Sequence, residues 1–224
     1  MNRKAVIILS GGIDSTTLLY DTAAKGYEVS ALTFIYGQKH EREINSARAI
    51  CGRISVPHMV VDLSGLKPLL SGSALTDPGV EIPDVPESAE HYDTLKATIV
   101  PNRNAIFLSI AVGYAVSAGA GAVLFGAHNS DRGVYPDCRA EFVEAFEAAE
   151  RLATDMPQLR IEAPYAEFDK SEIVGLGAKL GVPFGLAWSC YKGGEIHCGA
   201  CSSCRERKRA FAEAGVLDPT GYRE

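Results

Sequence analysis

Two short runs in this sequence carry residue types and spacings that define chemistry. The first is Ser10-Gly-Gly-Ile-Asp-Ser15, between the uncharged, β-prone Ala5-Val-Ile-Ile-Leu9 and the helix-like Thr16-Thr-Leu-Leu-Tyr-Asp-Thr-Ala-Ala-Lys-Gly26. A strand, a glycine pair and a helix closed by glycine form a phosphate-binding turn. Gly11 and Gly12 let the backbone bring its N–H groups close to an anion, and the helix that follows points its positive end at the same place. The Gly-x4-Gly-Lys-Ser/Thr spacing of a Walker loop is absent. The second run is Cys190, then Cys198-Gly-Ala-Cys201-Ser-Ser-Cys204, four of the six cysteines within fifteen positions. Two successive C-x2-C steps bring three sulfurs within reach of one ion, and four thiolates suit tetrahedral zinc. An iron–sulfur cluster is the rival, although the ferredoxin run with its fourth Cys and following Pro is missing. Disulfides need an oxidising compartment. His197, beside Cys198, is an alternative ligand, whereas Cys51 and Cys138 lack metal-ligand spacing.

The elements that must position these runs alternate along the chain. Strands are predicted over Tyr27–Tyr36, His58–Asp62, Ala122–Gly126 and Leu159–Pro164, and helices over His40–Ser55, Arg103–Ala118, Arg139–Asp155 and Asp169–Leu180. Such alternation implies right-handed crossovers and a doubly wound, mostly parallel α/β sheet covered on both faces. Ligands of such sheets sit at the carboxyl ends of the strands, where the Ser10–Ser15 loop falls. Between Ser71 and Asn102 the periodicity fails in turn and acidic residues, and the segment reads as a lid.

With 224 residues, 46% of them hydrophobic and 22% charged, the chain suits one α/β domain over 1–224, with 188–207 as a metal-binding segment. Twenty-two basic against 28 acidic residues give a formal charge of −6, which offers no general attraction to nucleic acid or anionic lipid. Small molecules are the expected partners. Five apolar residues before the loop are too few for a secretory signal, so a cytoplasmic location is expected. The uncharged stretch Ala105–Ala127, 23 residues long, could span a bilayer by length. Its glycines and serines divide it instead into a helix and a buried strand, so no membrane association is expected. The basic run Arg205-Glu-Arg-Lys-Arg209 reads as a solvated helix face.

The hexamer resembles the loop of the N-type ATP pyrophosphatases (PP-loop, adenine nucleotide alpha hydrolase-like). Together with the cysteine cluster, several further blocks make the resemblance specific. They are Ala31-Leu-Thr-Phe with Tyr36-Gly-Gln-Lys-His40, Gly72-Ser-Ala-Leu-Thr76, Val100-Pro with Arg103-Asn104, Tyr135-Pro-Asp-Cys138, Lys170-Ser-Glu-Ile-Val174 and Trp188-Ser-Cys-Tyr191. From the first strand to about Pro219 the chain is similar to the 7-cyano-7-deazaguanine synthase (QueC) family. Two departures stand out: Asn102 replaces a Gly before the Arg-Asn pair, and Gly126-Ala-His-Asn-Ser-Asp-Arg-Gly133 is more polar than the family pattern. Asn tolerates left-handed φ, so the turn can survive.

The resemblance implies an ATP-dependent ligase of the queuosine pathway. It would convert 7-carboxy-7-deazaguanine and ammonia to the nitrile (preQ0) through adenylated intermediates, releasing AMP and diphosphate. ATP with Mg²⁺ and one structural Zn²⁺ are the implied cofactors, and a homodimer the implied assembly. ATP binding would fall to Leu9, Ser10, Gly11, Gly12, Ile13, Asp14, Ser15, Thr16, Thr17, Leu18 and Leu19. Asp14 would hold Mg²⁺ or orient the loop, and Arg103 and Lys170 would stabilise the α-phosphate. Tyr36, Gln38, His40, Asp131, Tyr135 and Asp137 would contact the deazaguanine, with Tyr135 stacking and Asp137 accepting its N–H groups. Cys190, Cys198, Cys201 and Cys204 would hold the zinc. A tRNA-modifying thiolase or ligase with the same loop is the alternative, but it would need a basic RNA-tracking face or an added RNA module.

Overall fold

The computed structural model describes residues 3–85 and 95–223. Among these, five parallel strands form one sheet in the order β3-β2-β1-β4-β5. They are β1 (Lys4–Ile8), β2 (Glu28–Ile35), β3 (His58–Asp62), β4 (Ala122–Leu124) and β5 (Arg160–Glu162). The helices are α1 (Ile13–Ala24), α2 (Arg42–Arg53), α3 (Arg103–Ala118), α4 (Asn129–Arg132), α5 (Ala140–Thr154), α6 (Lys170–Lys179) and α7 (Ser202–Glu213). The predicted elements are all present, most of them trimmed by one or two residues at each end.

The central strand is apolar from Ala5 to Ile8 because both its faces are covered. Ala5 and Ile7 pack on one side with Leu18, Leu19, Ile173 and Phe211, and Val6 packs on the other with Phe107, Leu108, Val112 and Val123. This two-residue alternation places α1, α2, α6 and α7 on one face and α3 and α5 on the other. Fully burying each such side chain contributes about 1.5–3 kcal/mol.

Ala105–Ala127 divides as expected into α3 and β4. No helix among the described residues is long and apolar enough to cross a membrane. Asn102 takes the left-handed conformation (φ 55°) at the head of α3, so asparagine does serve at that turn. Of the expected lid, residues 71–85 and 95–102 are described and 86–94 lie outside the described residues. The described flanks are anchored: Ala74 N–H donates to Ala97 O, and Val85 N–H to Ala200 O beside the cysteines.

The expectation for the basic run needs correction. Arg207 is fully buried, donating to Asp218, to the carbonyls of Ala187 and Phe184 and to Ser189 Oγ. Its neighbours are also engaged: Glu206 with Lys170, Lys208 with the Gly199 carbonyl, and Arg209 with Glu213. Glu206, Arg207 and Lys208 tie α7 to the rest of the fold, and only Arg209 of the run is exposed, pairing within its own helix.

Candidate active site

Strand order reverses direction between β1 and β4, and the crevice beyond their carboxyl ends is where ligands of such sheets bind. The Ser10–Ser15 loop lies there. Gly11 has φ 83°, and a Cβ on it would collide with the Glu43 carbonyl and come within 2.9 Å of Ala47 N, so the loop touches α2 through a position only glycine fills. Ser10 and Ser15 hydroxyls lie 2.9 Å apart, Gly12 N–H donates to Ser10 Oγ, and Thr16 Oγ1 donates to Gly12 O at 2.6 Å. Gly12 is the N-cap of α1 and no side chain caps that helix, so its first N–H groups face the crevice.

α1 and α6 approach closely because position 177 is glycine. A Cβ there would stand 2.6 Å from the Phe184 ring and 2.7 Å from Thr17 Oγ1. The close approach brings Lys170, first residue of α6, to 3.1 Å from Asp14 Oδ2, with Glu206 Oε2 of α7 at 2.7 Å from the same ammonium. Burial works against the Lys170 charge, but Asp14 and Glu206 more than offset it and hold its pKa above the ordinary lysine value. The other oxygen of Asp14, Oδ1, is buried without a hydrogen-bond partner.

A cavity of about 250 Å³ opens here. Of the residues expected to bind ATP, Leu9, Ser10, Gly12, Ile13, Asp14 and Ser15 line it. Gly11, Thr16, Thr17, Leu18 and Leu19 do not: Gly11 sits against α2, and the other four are fully buried behind the loop, where they hold α1 against the sheet. Arg103, Lys170, Tyr36, Gln38, His40, Asp131 and Tyr135 also reach the cavity. Arg103 lies over the Tyr36 ring, 5.9 Å from its centre. Tyr135 O–H shares a hydrogen bond with Thr98 at 2.9 Å, and burial is the main cause raising its pKa and that of Tyr36. Gln38 holds its own turn, accepting from Tyr36 N–H and donating to Phe34 O. Asp131 accepts from His128 N–H, and burial pushes its carboxyl up.

Asp137 departs from the expectation. Its two oxygens accept from Asn104 N–H at 2.9 Å and Asn104 Nδ2 at 3.2 Å, so it caps the first turn of α3, and it is not among the residues that line the cavity. Glu43, His128, Trp188, Tyr191 and Glu206 line the cavity too and were not singled out from the sequence as site residues. Trp188 and Tyr191 belong to a block that carried the family resemblance. Glu43 stands in the first turn of the helix after a strand's carboxyl end, a position that could have flagged it.

The four cysteine sulfurs converge, all within 4.8 Å of one another. Cys198 N–H and Cys201 N–H donate to the sulfurs of Cys190 and Cys198, as thiolate ligands require. His197 is not in the group: its Nε2 accepts from Ser189 N–H and its ring stacks on Trp188 at 4.1 Å. Trp188 N–H in turn donates to Gly11 O, which fastens the start of the cysteine segment to the phosphate loop.

Solved structures share this fold over nearly the whole chain. A 4-thiouridine synthetase in complex with RNA and ATP matches with a TM-score of 0.55 at 19% identity, covering 95% of this chain and 50% of that one. The NMN synthetase of Francisella tularensis gives 0.54 at 14%, covering 96% and 84%. These likenesses show a shared α/β fold built on a parallel, doubly wound sheet. The profile of the family described as "Queuosine biosynthesis protein QueC" matches residues 4–215. Proteins named 7-cyano-7-deazaguanine synthase are 49% identical in Caldicellulosiruptor bescii, over 98% of this chain and 97% of that one, and 51% in Archaeoglobus fulgidus, over 96% and 89%. The chain belongs to the QueC family.

Proposed function

We propose that this chain is an ATP-dependent 7-cyano-7-deazaguanine synthase working as a single unit over residues 1–224. The observation that carries the reading is one cavity in which a glycine loop at a helix start, two half-buried cations and an aromatic wall meet. A carboxylate is a poor electrophile. Its oxygen attacks the α-phosphorus of ATP and pyrophosphate leaves, giving an acyl adenylate. Ammonia then attacks the carbonyl carbon, and the C–O bond to AMP breaks to leave an amide. The amide oxygen attacks the α-phosphorus of a second ATP and pyrophosphate leaves; loss of AMP and of the two remaining N–H protons then gives the nitrile.

The backbone amides of Gly11 to Ser15 and the hydroxyls of Ser10 and Ser15 suit the departing pyrophosphate. Lys170 and Arg103 suit the charge that builds on the α-phosphate. Lys170 is already fixed between Asp14 and Glu206, so little reorganisation is needed when that charge develops. The unpartnered Asp14 Oδ1 is a hard oxygen of the kind Mg²⁺ takes, and bound Mg²⁺ would neutralise phosphate charge there. Tyr36 and Tyr135 offer faces for the deazaguanine ring.

Four thiolates around zinc at about 2.3 Å stand about 3.8 Å apart, and Cys198 and Cys204 sulfurs are 3.9 Å apart. That spacing favours one zinc ion over a four-iron cluster, whose thiolates sit on separate irons and spread wider. All four thiolates would be used, so the ion would be structural. Thiols held unpaired, as all six cysteines are here, suit a reducing cytoplasm.

An oxygen-label experiment tests the route. With both carboxylate oxygens of the substrate labelled with ¹⁸O, each AMP formed carries one label on its phosphate. Label recovered in water instead would contradict adenylation at the carboxylate.

A further inference from the structure

Glu43, like Lys39 and Asp131, is a charged side chain of the cavity that the scheme above leaves without a task. It lines the cavity from the first turn of α2, and no described residue donates a hydrogen bond to its carboxylate or pairs with it. The side chain is half-buried in the cavity wall, and a carboxylate that no protein donor ties down is free to act on a bound molecule. The Glu43 backbone carbonyl abuts Gly11 of the phosphate loop, and Arg103, the cation suited to the α-phosphate, is the charge that acts on its carboxyl.

We propose that Glu43 is the general base that removes N–H protons in the nitrogen chemistry. This rests on the synthase reading above. In amide formation the carboxylate takes a proton from the nitrogen as it bonds to the acyl carbon and AMP departs. In nitrile formation it takes an N–H proton from the O-adenylated amide. The N–H electron pair becomes the third C–N bond, the C–O bond breaks, and its pair leaves on AMP. No oxidant or further reactant enters.

The surroundings leave Glu43 as the group poised for this. Burial pushes its carboxyl up to about 7, against a smaller opposing pull from Arg103 of α3. Tyr36, at the end of β2, titrates above its ordinary value, and burial holds His40, three residues before Glu43, below its own. Asp14 of α1 and Lys170 of α6 are tied to each other, and Asp131 of α4 accepts from His128 N–H. A base with a value near the working pH is the most effective proton acceptor.

The test uses the amide of 7-carboxy-7-deazaguanine with Mg-ATP, so that only the second stage is read. In Glu43→Gln a burst of one pyrophosphate per site is expected to persist, while nitrile release falls about 10²- to 10⁴-fold and Glu43→Asp regains part of the rate. In the unmodified enzyme kcat for the amide should rise with pH through a limb near 7, and the residual rate of Glu43→Gln should lack it. Nitrile release within threefold of normal in Glu43→Gln, a raised KM for the amide with kcat intact, or loss of the burst would overturn the proposal. If Glu43→Gln does not fold, absence of the limb in the unmodified enzyme overturns it. An unmodified enzyme inert toward carboxylate and amide alike removes the synthase reading and this proposal with it. An active one beside an unimpaired Glu43→Gln removes the proposal alone.

Discussion

Lys170 Nζ stands 3.1 Å from Asp14 Oδ2, joining the first residue of α6 to the first turn of α1 across the phosphate loop. The contact depends on close helix packing, because Asp14 and Lys170 are far apart in sequence and only α1 against α6 brings them together. It fixes a cation at the loop before any nucleotide arrives.

Replacing Asp14 with Asn removes that charge partner and the unpartnered Oδ1, while Glu206 still holds Lys170. AMP formation is expected to fall about 10²- to 10³-fold with the circular dichroism spectrum unchanged. Chromatographic quantification of AMP checks it, and unchanged turnover would remove Asp14 from the site.

Gly177→Ala tests the packing that makes the contact. The added methyl meets Phe184 and Thr17 at under 3 Å, so α6 must shift or the core must strain, at about 1–3 kcal/mol. Urea unfolding should show that loss, and activity should fall with it as Lys170 moves off Asp14. A variant of normal stability and rate would mean the helices accommodate the methyl freely.

Replacing Cys201 with Ser should lower bound zinc, measured by mass spectrometry of the metal, together with the melting temperature. Because Trp188 links this segment to Gly11, KM for ATP should rise as well. A stable, fully metallated variant would remove Cys201 from the ligand set.

Arg207→Met leaves Asp218 without its main partner and should cost about 3–5 kcal/mol in urea unfolding. Burial raises the Asp218 carboxyl, but bonds from Arg207 and Tyr222 more than offset this and hold it below its ordinary value. A carboxylate with a lowered folded value stabilises above its unfolded value of about 3.9 and loses that contribution as pH falls through the folded one. The unmodified protein should therefore lose stability below about pH 4 more steeply than Arg207→Met, and equal acid profiles would contradict the pairing.

The glycine loop and the convergence of four cysteines were legible in the sequence because their physics is local: glycines at a strand end and cysteines separated by two residues. The sheet followed from alternating periodicity, and α3 began at Arg103 as expected because the turn at Asn102 is also local. Asp137 and Arg207 were not legible. Each is a charged residue whose partner lies far along the chain, Asn104 for one and the carbonyls of Phe184 and Ala187 for the other. Charge alone suggested a ligand contact for Asp137 and solvent for Arg207, and tertiary packing decided otherwise. Thr16 to Leu19 lie within the family's loop block, but helical geometry turns them behind the loop into the core.

The most direct test of the account is incubation of the purified protein with Mg-ATP, ammonium and 7-carboxy-7-deazaguanine, with AMP, ADP and nitrile measured by liquid chromatography and mass spectrometry. AMP and nitrile in a ratio near two to one, formed only when every component is present, is the predicted result. ADP in place of AMP, or no nucleotide turnover, would contradict adenylation at this site.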